Sequence, residues 1–279
     1  MSEAEFIDGA VGKIAIHDLG GDGTETLLVA HATGFLGRVY RAFAAELKAD
    51  FHVIALDMRA HGDRYARPHP ADFDWRGMAD DITRVISHLN AGVLHGFGHS
   101  MGGAALLEVE RTNPGTFTSA MVFEPVVPPT TFGDQPTPIQ RAAAGRLRSF
   151  PSRGHALERY SARPPLGLFR ADVLHDYIRH GFADDEAGEI TLKCLPEHEA
   201  ATFGKAGTIP LASLSEVALD VVVARGGDGG LVGGLVDSIV ETLPNGRALE
   251  FPTITHFGPL QDPVIVANAM RDLTTASSS

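Results

Sequence analysis

The chain has 279 residues, 44% of them apolar, which is enough for one substantial core or a core carrying an insertion, so two unrelated domains are not required. Its 23 lysines and arginines face 35 acidic residues, a formal charge of −12 spread along the chain, which argues against nucleic acid and anionic membrane surfaces as partners. The single cysteine, Cys194, excludes an intramolecular disulfide and any CxxC zinc or redox pattern, and no uncharged run approaches the roughly 18 residues of a membrane span. The acidic start Met1-Ser2-Glu3-Ala4-Glu5 leads into no apolar stretch, so the expectation is a cytoplasmic protein without a secretory signal.

Short apolar runs bounded by turn residues alternate with stretches of helical period, the pattern of βαβ units and a mainly parallel sheet. Strands are predicted near 11–17, 26–31, 52–57, 93–98 and 118–123, with helices over 38–49 and 75–90. In the second helix Met78, Ile82, Val85, Ile86 and Leu89 recur at spacings of three and four, one apolar stripe. A further helix begins after Ser100 and stops at Asn113-Pro114-Gly115. From about 126 to 212 the alternation ceases. Prolines 125, 128, 129, 136, 138, 151, 164 and 165 interrupt short helical patterns around 138–149, 154–161, 171–180 and 196–203, with too few strand signals to extend the sheet. This segment reads as a helical insertion. Alternation resumes with a strand at 219–225, a helix at 230–242, a strand near 247–251 and a closing helix near 262–274. The expected division is a core of 1–125 and 213–279 with a helical cap of 126–212.

Gly98-His99-Ser100-Met101-Gly102 matches G-x-S-x-G between a predicted strand and a predicted helix. A sharp strand-to-helix turn forces the serine into a strained conformation, and tiny residues two before and two after let the chain pass. The turn also sets Ser100 at a helix N-terminus, where unpaired N–H groups favour negative charge on a substrate oxygen. The competing view, a glycine-rich turn with serine as a mere N-cap, accounts less well for the strand and helix on both sides.

With this motif the chain resembles the α/β-hydrolase family, and the resemblance covers most of its length outside 126–212. It implies an α/β-hydrolase fold, a mostly parallel central sheet flanked by helices, with a helical cap insertion. His31-Ala32-Thr33-Gly34-Phe35 resembles the family's H-G-x-G loop, with Ala32 where glycine is usual. The resemblance thus implies an oxyanion hole from the N–H groups of Thr33 and Met101. Asp57-Met58-Arg59-Ala60-His61-Gly62-Asp63 resembles the D-x-R-G-x-G-x-S turn and is taken as structural.

A serine hydroxyl needs a neighbouring imidazole to take its proton. Of thirteen histidines, His256 follows the last predicted strand and precedes the last helix, where the family's catalytic histidine lies. His52 and His69 read as surface or turn residues, His95 as packed in the sheet, and His31 and His99 as shaping the pocket. Two carboxylates compete to orient the imidazole. Asp228 in Arg225-Gly226-Gly227-Asp228 lies one residue short of the family's G-x-x-D spacing, and Glu124 ends the strand after the nucleophile strand, a position resembling the acid of some haloalkane dehalogenases. Glu124 is preferred because the glycines around Asp228 make a pliable platform. Its alternative reading is a buried ion pair with Arg41 or Lys193.

No metal spacing such as H-E-x-x-H occurs, the glycine run at 226–234 fits no phosphate-binding pattern, and Cys194 has no nearby base, so neither a cofactor nor a metal is implied. The expected chemistry is hydrolysis of a small-molecule carboxylic ester, lactone or thioester through an acyl-enzyme. Leu166, Leu168, Phe169, Leu174, Tyr177, Ile178 and Phe182, with Phe132 and Phe150, point to an apolar pocket under the cap, and Phe35, Phe169, Tyr177, His31 and His99 are the candidate pocket residues. A cofactor-free haloperoxidase or perhydrolase, a carbon–carbon bond hydrolase, and a non-catalytic binding protein of the same fold stay open, as does the oligomeric state.

Overall fold

The computed structural model describes residues 3–64, 73–130, 135–186, 188–227, 230 and 232–277. The chain enters through β1 (Glu5–Asp8), β2 (Lys13–Gly20) and β3 (Glu25–Ala30), then a 3₁₀ turn at Gly37–Tyr40 leads into α1 (Arg41–Leu47). There follow β4 (Phe51–Leu56), α2 (Trp75–Leu89), β5 (Leu94–His99), α3 (Met101–Thr112) and β6 (Ser119–Phe123). The next stretch carries α4 (Pro138–Ala144), β7 (Ser149–Phe150), α5 (Arg153–Ser161), α6 (Ala171–His180), β8 (Phe182–Asp184), β9 (Ile190–Leu192) and α7 (Pro196–Phe203). It closes with β10 (Val221–Gly226), α8 (Val236–Thr242), β11 (Gly246–Phe251), α9 (Gly258–Gln261) and α10 (Pro263–Ser277).

Eight strands form one sheet in the order β1-β2-β4-β3-β5-β6-β10-β11. β1, β2 and β4 pair antiparallel, and every pairing from β4 onward is parallel. Because strand side chains alternate, each central strand feeds two cores. Leu27, Val29, Met121, Phe123, Val222 and Ala224 join the core that contains α1 and α10, whereas Leu28, Ala30, Val122, Val221 and Val223 join the one that contains α2, α3 and α8. The near-continuous apolar strands of the sequence are the consequence. The strand β1, whose residues are mostly exposed, falls outside the predicted elements, since an edge strand without a buried face leaves no apolar run.

The segment between β6 and β10 is not purely helical. Besides α4 to α7, its described residues hold a three-stranded antiparallel sheet in the order β7-β9-β8, which adds strands to the expected helical insertion without extending the main sheet. Strands of two or three residues are too short to show alternation in sequence. Side chains fasten this segment to the sheet domain: Trp75 Nε1 donates to the Thr202 carbonyl at 3.1 Å, Arg41 Nε to Asp176 at 2.8 Å, and Lys193 pairs with Asp63. Arg41 and Lys193 are thereby engaged elsewhere, and neither is the partner of Glu124.

Candidate active site

Ser100 ends the turn from β5 into α3 at φ 55°, ψ −115°, and is 5% exposed. The left-handed backbone is strained for a serine and is held by its N–H, which donates to the Phe123 carbonyl at 2.9 Å, and by its own carbonyl, which accepts from Ala104 N–H at 3.1 Å. The flanking glycines are required by contact. A Cβ on Gly98 would lie 2.5 Å from Gly103 Cα, and one on Gly102 would drive into the Ala30 carbonyl.

Glu124, at the end of β6, is 1% exposed and likewise left-handed, with φ 41°. Its Oε2 accepts from His256 Nδ1 at 2.7 Å, and its Oε1 accepts from Gly226 N–H at 2.8 Å. The carboxylate thus bridges the ends of β6 and β10 and the loop that carries His256. With Nδ1 donating, Nε2 of a neutral His256 presents a lone pair, the state a proton acceptor needs. Among the described residues no hydrogen bond yet joins Ser100 Oγ to His256, a link that commonly tightens only around substrate. Asp228 lies outside the described residues, while the amide of Gly226, two positions before it, grips Glu124.

Thr33 and Met101 come together from the loop after β3 and the start of α3, with Thr33 Oγ1 directed at Met101 Sδ at 3.4 Å. Met101, as the first residue of α3, has no earlier helical carbonyl for its N–H, and Thr33 N–H makes no hydrogen bond among the described residues.

Three buried histidines shape these loops. His61 Nδ1 donates to the Arg59 carbonyl and Nε2 accepts from Gly34 N–H at 2.9 Å. His31 Nδ1 donates to the Ala32 carbonyl and Nε2 accepts from Met58 N–H. His99 Nε2 donates to the His256 carbonyl at 2.8 Å and Nδ1 accepts from the Tyr40 hydroxyl at 2.7 Å, which itself accepts from Ala32 N–H at 3.3 Å. A continuous path therefore links the backbone before Thr33 to the backbone of His256. Burial lowers the pKa of all three rings, to about 3 for His61 and well below the ordinary value for His99, so the neutral tautomers that this bonding needs are stable.

Beside these loops opens a cavity of about 350 Å³. Thr33, Phe35 and Phe257 contribute to its wall, together with Leu147, Phe150 and Leu166 from the 126–212 segment. Of the five candidate pocket residues Phe35 reaches the wall, as do Phe150 and Leu166 of the apolar residues expected under the cap. Phe169 stands behind the wall, its ring 5.5 Å from Phe35 and 5.8 Å from Phe257, and the Tyr177 hydroxyl accepts from the wall residue Arg146 at 2.7 Å. His31 and His99 are fully buried with both ring nitrogens engaged, which corrects their reading as pocket residues. Closeness to the motif in sequence does not say which face a side chain takes. Leu174, Ile178 and Phe182 pack into the core, Leu168 is exposed, and Phe132 lies outside the described residues. Tyr40, His61 and Arg146 carry no motif signal; only the tertiary contacts reveal their bearing on the site.

The remaining polar cluster, His17, Asp57 and Asp63, brings three possible metal-ligand atoms within 4.8 Å of one another. Its carboxylates are already matched, while His17 Nδ1 has no partner among the described residues: Asp57 accepts from His17 and from the amides of Gly37 and Asp63, and Asp63 faces Lys193 and Arg38. Burial alone would raise the Asp57 carboxyl, but the adjacent His17 holds it well below the usual range.

Residues 27–269 match the model of the alpha/beta hydrolase family. The chain belongs to this family. Over 97 residues it is 32% identical to the dihydrolipoyllysine-residue acetyltransferase component of the acetoin cleaving system of Pseudomonas putida, a match covering 35% of this chain and 26% of that protein. The chain spans only about a third or less of the length of the curated relatives it matches, as that share of 26% illustrates. Among solved structures it is similar to the peroxisomal alpha-beta-hydrolase Lpx1 of Saccharomyces cerevisiae, with TM-score 0.82, 15% identity and coverage of 100% of this chain and 87% of the other. It is also similar to a thermophilic esterase of Thermogutta terrifontis, with TM-score 0.74, 19% identity and full coverage of both chains. These likenesses establish the fold, and the match over residues 27–269 establishes the family. No helix of the described residues is long and apolar enough to cross a membrane.

Proposed function

We propose that the chain is a serine hydrolase that cleaves a carboxylic ester, lactone or thioester through an acyl-enzyme. The observation that carries this reading is the 2.7 Å hydrogen bond from His256 Nδ1 to the buried Glu124, which leaves Nε2 as the acceptor on the loop beside a strained Ser100. In this reading Nε2 takes the Ser100 hydroxyl proton as Oγ bonds to the substrate carbonyl carbon, and the electron pair of the carbonyl moves to its oxygen. The N–H groups of Thr33 and Met101 receive that oxyanion. Collapse of the adduct expels the alkoxide or thiolate, which takes the proton back from the imidazolium, and a water activated by the same ring then releases the acid. Glu124 keeps the tautomer correct and faces the positive charge that forms on the ring. Residues 126–212 act as the cap, their apolar side chains closing the cavity that Thr33 and Phe257 border. The esterase among the structural neighbours accords with this reading.

The test is hydrolysis of p-nitrophenyl esters of increasing acyl length by the wild type and by Ser100→Ala, with labelling by a fluorophosphonate. Activity and labelling that both vanish in the variant support the reading. Turnover that survives Ser100→Ala overturns it.

A further inference from the structure

The wall of the cavity carries a charge opposite to that of the chain as a whole. Against a formal charge of −12, its charged residues are Arg146, Arg159, Arg163 and Glu199, three cations and one carboxylate. Glu199 is already committed. It is paired with Arg146, whose other nitrogen donates to the Tyr177 and Tyr160 hydroxyls at 2.7 and 3.3 Å, and this buried cluster packs against Gly34 of the loop that holds Thr33. A Cβ on Gly34, at φ 84°, would lie 2.6 Å from Glu199 Oε1, so the pair is wedged in place. Two cations are then left facing the cavity.

Arg159 lies in the last turn of α5 and Arg163 just beyond the helix, four residues later; both are exposed. Neither makes a side-chain hydrogen bond or ion pair among the described residues, in contrast to Arg153 on the same helix, which pairs with Asp184. Around them the wall is apolar, with Phe35, Phe150 and Phe203, and with Ile139 and Leu147, two of the few large apolar side chains that are about half exposed. An apolar chamber with two uncompensated guanidinium groups suits a ligand that is greasy along its length and anionic at one end. The planar fork of arginine matches a carboxylate with two parallel hydrogen bonds, a match that lysine lacks.

We propose, resting on the serine-hydrolase reading above, that the substrate carries a carboxylate of its own, apart from the bond that is cleaved, and that Arg159 and Arg163 receive it. The substrate class is a half-ester or half-thioester of a dicarboxylic acid, or an ester whose alcohol part bears the acid. Arg146 is the fixed back of the chamber, and the two exposed arginines are its specificity-determining residues.

The experiment compares kcat/KM for p-nitrophenyl valerate, mono-p-nitrophenyl glutarate and 3-carboxy-4-nitrophenyl valerate, so that a neutral ester stands beside one with the acid on each side of the scissile bond. At low salt the wild type should prefer at least one of the acidic esters by about tenfold or more, and that ratio should fall toward one in R159A/R163A and, for the wild type, in about 0.5 M NaCl. A wild-type preference for the neutral ester overturns the proposal, as does a ratio that the double variant leaves intact. Calorimetric binding of monomethyl glutarate to Ser100→Ala, with and without the two arginine substitutions, needs no turnover. If no ester is cleaved at all, the hydrolase reading fails, while binding that weakens about tenfold without the arginines still upholds the anion site. Unchanged binding, or tighter binding of inorganic phosphate than of monomethyl glutarate, rejects the carboxylate.

Discussion

The turn around Ser100 and the segment 126–212 are held by different forces. At the turn the backbone decides: Ser100 and Glu124 both sit at positive φ, Ser100 N–H is tied to the Phe123 carbonyl, and Gly98 and Gly102 occupy space that no Cβ could share. In the segment above, side chains decide, through Arg41 on Asp176, Arg146 on Glu199, Lys193 on Asp63 and the Trp75 indole on the Thr202 carbonyl. A backbone-built site tolerates almost no substitution, because the strain is relieved only by losing the geometry. A side-chain-built cover can exchange residues one at a time while the chemistry beneath it persists. The wall residues that would choose a substrate, Arg159 and Arg163 among them, belong to the second kind.

The contrast predicts where substitutions cut deepest. Ser100→Ala should reduce ester turnover by about 10³-fold or more, and Glu124→Gln by about 10²- to 10⁴-fold with little change in KM, since the latter leaves the fold but removes the group that fixes the tautomer. Asp228→Asn should stay within about twofold of the wild type, and a loss comparable to that of Glu124→Gln would reassign the acid. Next in size, Gly102→Ala should destabilise the fold by about 3 kcal/mol or more through overlap with the Ala30 carbonyl, read from denaturant midpoints; a stable, active variant would show that the turn can relax.

His61 tests the scaffold by pH. Its folded pKa of about 3 lies below the ordinary 6.5, so the unfolded chain binds the proton first and stability, complete above about 6.5, falls as pH drops toward 3. His61→Gln, which retains an acceptor for Gly34 N–H, should flatten this acid limb in a melting-temperature series, and an unchanged slope would assign the limb to other groups. Tyr40→Phe removes the donor to His99 Nδ1 and the acceptor for Ala32 N–H, and a cost of about 1–3 kcal/mol is expected. At the small end, Arg148→Ala breaks an exposed pair with Glu197, and a shift of about 0.5 kcal/mol or less should follow. A larger loss there would mean that the segment is less modular than its contacts indicate.

Much of this arrangement was legible in the chain because it is local. The strand–serine–helix motif, the apolar strands and the stripe of α2 are all set by neighbours within a few residues, and the structure holds them within a few positions of the expected bounds. The preference for Glu124 over Asp228 rested on the pliability of a glycine run, and the hydrogen bond between Glu124 and His256 spans 132 positions that no local pattern reports. The pocket was read less well. His31 and His99 border the motif yet are turned into the interior, where each ring nitrogen is engaged, while the short strands β7 to β9 are too brief to leave a period.

The sequence by itself determined the central strands of the sheet, the glycine-flanked turn at Ser100 and the histidine that follows the last strand, because apolar periodicity and small residues at fixed spacing act through the backbone nearby. Only the tertiary structure decided which carboxylate meets His256, how Tyr40 and His99 tie two loops together, and which arginines face the cavity. Those outcomes depend on the direction in which a side chain leaves a folded surface, and that direction exists only once distant segments have packed.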